Sequence, residues 1–170
     1  GNPPLWTIAV EDDSPEGFRD LADSFTLFKP TAKRGDPTKR GRFNFGEKQA
    51  LAVCEEATIM TTKGTVRFTP TGRTVSGENR SRGSVVILKL RMTAIEREEV
   101  QYALENYLPP SGMQFLVNGQ PIAYRSPKHT IEAKLPTVIE SNGALRTSIR
   151  KTTLHLLQKE LQSFFNFNSI

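Results

Sequence analysis

Apolar and polar positions alternate between two periods along this chain. Leu5–Val10 (LWTIAV) is an apolar, β-branched run and predicts a buried strand. The turn EDDSPEG follows, and then Phe18, Leu21, Phe25 and Phe28 recur at spacings of three and four. That spacing predicts an amphipathic helix ended by Pro30. A second helix is expected over Glu47–Glu55. Three strand-like runs come next: ATIMTT, TVRFTP and SVVILKLRM, with Gly64 placed to turn between the first two. The polar stretch TGRTVSGENRSRG, residues 71–83, predicts a loop. The order strand, helix, helix, then strands in series predicts an α+β architecture, a mixed sheet with helices on one face.

Beyond residue 92 the period returns to that of a helix. TAIEREEVQYALENYLPP carries Val100, Ala103, Leu104, Tyr107 and Leu108 on one stripe and is stopped by Pro109 and Pro110. Thr93 and Glu96 have capping-box spacing. Glu96, Glu98 and Glu99 sit where the helix dipole favours negative charge, so they read as structural. MQFLVNGQPIAYR predicts a hairpin turning at Asn118-Gly119, and HTIEAKLPTVI and LRTSIRKTTLHLL predict two more strands around ESNG. The double proline suggests a boundary near 94–110, giving a first domain over 1–94 and a second, partial α/β segment over 95–170. The closing LQSFFNFNSI is apolar enough to pack on a core or to pair with another copy of the chain.

Composition narrows the function classes. The 170 residues carry a formal net charge of +5, with 36% hydrophobic content, and the sequence pI is about 9.5. A basic balance favours anionic partners, or is only a solvated surface. Cys54, the single cysteine, excludes an internal disulfide and a cysteine metal site, and its apolar neighbours predict a buried helical position. No charged, apolar leader opens the chain, and no run approaches the roughly 20 apolar residues of a membrane helix. A soluble, cytoplasmic protein with no membrane partner is expected. The leading strand starts so close to Gly1 that the chain reads as a fragment.

Candidate chemistry is sparse. His129 and His155 lie in strand-like segments, away from any nucleophile motif. No catalytic or metal-ligating residue is assigned. Glu11-Asp12-Asp13 closes the first strand, at a sheet end where sites collect. The segment 29–42 carries Lys29, Lys33, Arg34, Lys39, Arg40 and Arg42 against Asp36 alone. It suits nucleic-acid phosphates, closure over a nucleotide, or plain solvation. Gly41 and Gly46 before a helix would let backbone N–H groups approach an anion. The P-loop pattern fails, because Glu47 stands at its lysine and Lys48 at its hydroxyl.

Three stretches together, in order, resemble the GHKL ATPases with the Bergerat fold. DSPEGF is similar to the first glycine box D-x-G-x-G, with Asp13 as its aspartate, Gly17 as its second glycine and Pro15 in place of its first. GRFNFG is similar to the second box, with Gly41 and Gly46 as the outer glycines and Asn44 for the middle one. Lys33, in FKPTAKRG, matches the lid lysine. RGSVVILKL is similar to the third box, Gly83 and Ser84 standing for glycine-threonine. The resemblance covers roughly residues 5–92. It implies an ATP-binding module in which Asp13 reads the adenine amino group, Ser84 lies near the base, and 41–46 hold the phosphates.

The family's catalytic glutamate and magnesium-binding asparagine lie on a helix before the first box. Twelve residues precede Asp13 here, and they read as coil and strand. The resemblance therefore implies ATP with Mg²⁺ in an intact parent and weak or absent ATPase activity in this chain. The second half is similar to the start of the family's transducer domain, with Lys134 or Lys151 as candidates for its phosphate-reaching lysine. The alternatives are a nucleic-acid-binding module using 29–42 with Arg146, Arg150 and Lys151, and a non-catalytic interaction fragment.

Overall fold

The computed structural model describes residues 1–18, 20–27, 46–110 and 112–157. By contacts these fall into two units, one of Gly1–Val100 with Ile139–Arg146, the other of Gln101–Val138 with the residues from Thr147 onward. The α+β class holds, with strands dominating.

The first unit is a five-stranded sheet. Its strands are β1 (Leu5–Asp12), β2 (Glu56–Thr61), β3 (Gly64–Thr69), β4 (Gly72–Ser76) and β5 (Ser84–Arg91), in spatial order β1-β5-β2-β3-β4. Every pairing in it is antiparallel, so the sheet is not mixed as expected. Short turns join β2 to β3 and β3 to β4, and such turns can only produce antiparallel neighbours. Residues 71–83, expected as a loop, contribute β4. All five residues of this edge strand are exposed, so no apolar alternation marks it.

Register gives the sheet one strongly apolar face. Ile8, Leu88, Ala57 and Phe68 form one cross-strand row, and Val10, Val86, Ile59 and Val66 form the next. Ile59 and Val66 are fully buried at its centre. The next positions towards the sheet end are polar: Thr61 and Ser84 are both buried.

The helices are shorter than the sequence pattern suggests. Phe18, Leu21 and Phe25 do not share an α-helix. Only Leu21–Ser24 coils, as one 3₁₀ turn started by Asp20, whose carboxylate accepts from Ala22 N at 2.8 Å. Phe28 lies outside the described residues. This turn packs on β3, with Phe25 beneath the Arg73 guanidinium at 3.7 Å. Helix α1 covers Gly46–Ala52 and stops before Glu55. Its end tightens through Val53 N to Ala50 O, and Glu55 N then joins Lys89 O of β5. The buried Lys48 ammonium donates to Asp23 O, which ties α1 to the 3₁₀ turn. Cys54 caps the same helix end, its Sγ donating to Ala50 O at 3.0 Å. Burial pushes its thiol pKa up.

Helix α2 (Ala94–Glu105) starts with the expected capping box: Glu96 Oε2 accepts from Thr93 N at 2.8 Å, and Thr93 Oγ1 accepts from Glu96 N at 3.2 Å. It ends four residues before Pro109. The Asn106 side chain bonds Tyr102 O and Tyr107 N bonds Leu104 O, which satisfies the last carbonyls early. No residue within it is buried, so the expected apolar stripe is half-covered at most.

Two hairpins follow; the second unit holds the first of them whole and, of the second, only residues up to Val138 and from Thr147. Strands β6 (Leu116–Val117) and β7 (Gln120–Pro121) turn at Asn118-Gly119 as expected, and Tyr107 stacks on Phe115 at 4.6 Å. Strands β8 (His129–Ser141) and β9 (Ala144–Leu156) form a long two-stranded ribbon turning at Asn142-Gly143. Both turns place Asn and Gly at positive φ, the pairing that suits strand twist.

Candidate functional site

Three segments meet at the end of the five-stranded sheet: residues 13–17 leaving β1, the β2–β3 turn at Thr62-Lys63, and the 77–83 connection that returns from β4 to β5. That connection must pass β3 and β2, because β5 lies between β1 and β2. It is pinned along the way. Glu78 O accepts from Thr65 Oγ1 at 2.6 Å, Arg80 N donates to Thr61 O at 2.9 Å, and Gly83 N donates to Ser14 O at 2.9 Å. Ser14 O also accepts from Gly17 N at 3.1 Å.

Two glycines make this junction possible. Gly83 has φ +69, and a Cβ there would lie 2.0 Å from Asp12 O. Gly17 has φ +58, and its Cβ would meet Thr62 Oγ1 at 2.8 Å and Gly83 O at 3.1 Å. Any other residue would strain the backbone and open the junction. The Thr62 hydroxyl closes it further by donating to Glu16 O.

The structure thus brings four of the sequence candidates together: Asp13, Gly17, Gly83 and Ser84. Gly46 is not among them. It opens α1 with empty space where its Cβ would be. Lys33, Gly41 and Asn44 lie outside the described residues.

Register separates the two neighbouring carboxylates. Asp12, the last residue of β1, is directly opposite Ser84. Directly opposed residues of an antiparallel pair project to the same face. Asp13 is one step on. Its side chain is 96% exposed and pairs with Arg82, whose Nε also donates to Asp13 O at 2.7 Å. Arg80 pairs in parallel fashion with Glu11 and donates to Arg82 O at 3.1 Å. Sequence reasoning placed Arg80 and Arg82 in a featureless polar loop. The visible signal was a matched period, Glu11-x-Asp13 against Arg80-x-Arg82.

Ser84 stands out chemically. It is 2% exposed, and its Oγ has no hydrogen-bond partner. A buried hydroxyl without a partner costs about 1–3 kcal/mol, and a bound ligand group would recover that. Asp12 keeps acceptor capacity, since only Oδ1 is engaged, by Ser14 N at 3.0 Å. A carboxylate beside a free hydroxyl can receive an amino group and donate to a neighbouring ring nitrogen. The same junction has an open cleft of about 600 Å³, lined by Pro15, Glu16, Thr62, Lys63, Arg80 and Ser81; neither Asp12 nor Ser84 lines it.

Neither histidine joins this junction. His155 Nδ1 contacts Thr130 Oγ1 at 3.3 Å within the ribbon, and His129 opens β8. Among the described residues no group of three or more His, Cys, Asp or Glu could hold a metal ion, and no helix is long and apolar enough to cross a membrane. Compared with protein-family models and with curated proteins, the chain matches none.

Proposed function

We propose that the five-stranded unit binds ATP, with the adenine at the junction of β1 and β5. The observation that carries this reading is the buried, unpartnered Ser84 hydroxyl facing the same side as Asp12. Adenine presents an amino donor next to a ring-nitrogen acceptor, which complements a carboxylate next to a hydroxyl. In this arrangement Asp12, rather than Asp13, receives the amino group. The glycines at 17 and 83 let the backbone close tightly around that corner. The GHKL resemblance assigns the phosphates to 41–46 and the lid to Lys33. The bound nucleotide supplies the phosphoanhydride. No residue of the chain is assigned to its hydrolysis.

Titration calorimetry with ATP and with GTP, each with and without Mg²⁺, tests the reading. ATP is expected to bind and GTP to bind at least tenfold more weakly, because guanine turns a carbonyl oxygen, not an amino group, towards Asp12. Equal affinity for both, or no heat with either, would overturn it.

A further inference from the structure

We infer that the β8–β9 ribbon, through its residues up to Val138 and from Thr147, is a docking element for duplex DNA, independent of the nucleotide reading. Among the described residues the ribbon's two strands pair only with each other, and two-stranded sheets have little stability of their own in water. Its strands are 13 residues each; Lys134 and Lys151 lie on an exposed face, and on the other face Arg150 stands exposed between half-buried Ser148 and Thr152. Residues 125–138 and 147–157 carry Arg125, Lys128, Lys134, Arg150 and Lys151 against one carboxylate, Glu132, a net of +4. That carboxylate is already engaged: it accepts from Thr153 Oγ1 at 2.7 Å and pairs with Lys151 at 3.1 Å. Among the described residues Lys128, Lys134 and Arg150 make no ion pair, so their charge is available to a partner.

Strand geometry distributes that charge to both sides. Arg150 and Lys151 are successive in β9 and project to opposite faces. The Thr153–Glu132 bond puts Lys134 on the face of Lys151, while the hydroxyls of Ser148 and Thr152 flank Arg150 on the other. With side chains, a strand layer is about 10 Å thick. The B-DNA major groove is about 12 Å wide and admits a two-stranded ribbon. A ribbon seated there sets cations against both phosphate walls, with hydroxyls beside them for further phosphate contacts. The deep, narrow major groove of duplex RNA does not admit it.

Fluorescence anisotropy of the whole chain with a labelled 20-base-pair mixed-sequence DNA duplex tests this. Binding is expected at low salt, with affinity falling linearly on a log–log plot. The K134Q/R150Q/K151Q variant should flatten the slope by up to about 2.7, since each lost phosphate contact removes about 0.9. Its affinity should fall at least tenfold. Removing the same charge from the five-stranded sheet, in R67Q/K89Q/R91Q, should change affinity less than threefold. Circular dichroism checks the fold of each variant. If the triple ribbon variant unfolds, K134Q and R150Q singly carry the same test, each flattening the slope by about 0.9. No binding at low salt, an equal loss in the sheet variant, or equal competition by duplex RNA of the same length overturns the inference.

Discussion

Asp12 and Ser84 sit directly opposite one another at the last rung of the β1–β5 ladder, the carboxylate exposed and the hydroxyl buried without a partner. Sequence separates them by more than seventy positions. The antiparallel pairing of a leading edge strand with the last strand of the sheet unites them. The rung is one residue wide, so a slip of a single position would send either side chain to the other face.

Ser84→Ala separates folding from binding at this rung. The hydroxyl gains nothing from the fold, so its removal should leave the unfolding free energy in urea unchanged or raise it by up to about 1 kcal/mol. If the hydroxyl serves a ligand, ATP affinity should fall about tenfold, or roughly 1.4 kcal/mol. A variant that is clearly less stable would mean that the fold itself uses the hydroxyl.

Gly83→Ala should be among the most damaging small substitutions in the chain. The added Cβ would meet Asp12 O at 2.0 Å in a backbone held at φ +69. Left-handed strain alone costs about 1–3 kcal/mol, and the clash adds to it. Gly77→Ala is the matched control in the same connection, with open space at its Cβ. It should be neutral or slightly stabilising. Chemical denaturation of the two variants side by side reads the difference.

Much of this fold was legible because its signals are local. SVVILKLRM and both Asn-Gly turns declare themselves through side-chain type and spacing, and Thr93 with Glu96 forms the capping box that its spacing predicts; LWTIAV is a strand, but an edge strand with no buried residue rather than the buried one its composition predicts. Other features rest on contacts that spacing does not encode. The edge strand β4 is exposed throughout and has no alternation to read. The phenylalanines at 18 and 25 keep a helical spacing, yet the Asp20 cap and the early stop at Phe25 leave a single 3₁₀ turn. At the candidate site the glycines are visible, but which residue of the acidic run lies opposite Ser84 is not, since that depends on the register of β1 against β5.

The capping box carries a pH dependence. Glu96 is held below its ordinary value of 4.5, first by the Thr93 backbone N–H and then by the Thr93 side chain. A carboxylate whose folded pKa is depressed contributes stability that is fully present above 4.5. That stability is lost as pH falls through the lower folded value. NMR titration should therefore find the Glu96 midpoint below 4.5, with the first turn of α2 loosening as it protonates. Thr93→Ala should move the midpoint only part of the way back towards 4.5, because the hydroxyl is lost while the backbone N–H, the larger cause, remains. A midpoint at or above 4.5 in the wild-type chain would contradict the capping geometry.

The sharpest test of the candidate site compares two adjacent carboxylates. Asp13 projects into solvent and pairs with Arg82, an exposed ion pair of a kind that contributes little to stability. Asp12 shares a face with Ser84 and keeps one carboxylate oxygen unengaged by the Ser14 amide. Both Asp12→Asn and Asp13→Asn preserve shape while removing one charge, so a general electrostatic effect would weaken ATP binding equally in both. Direct recognition of the adenine amino group requires asymmetry: Asp12→Asn should lose at least tenfold in calorimetry, and Asp13→Asn less than threefold. The reverse asymmetry would return the adenine contact to Asp13, and with it the alignment of DSPEGF to the first glycine box as the sequence suggested. Equal losses would remove both residues from the base and leave only their charge.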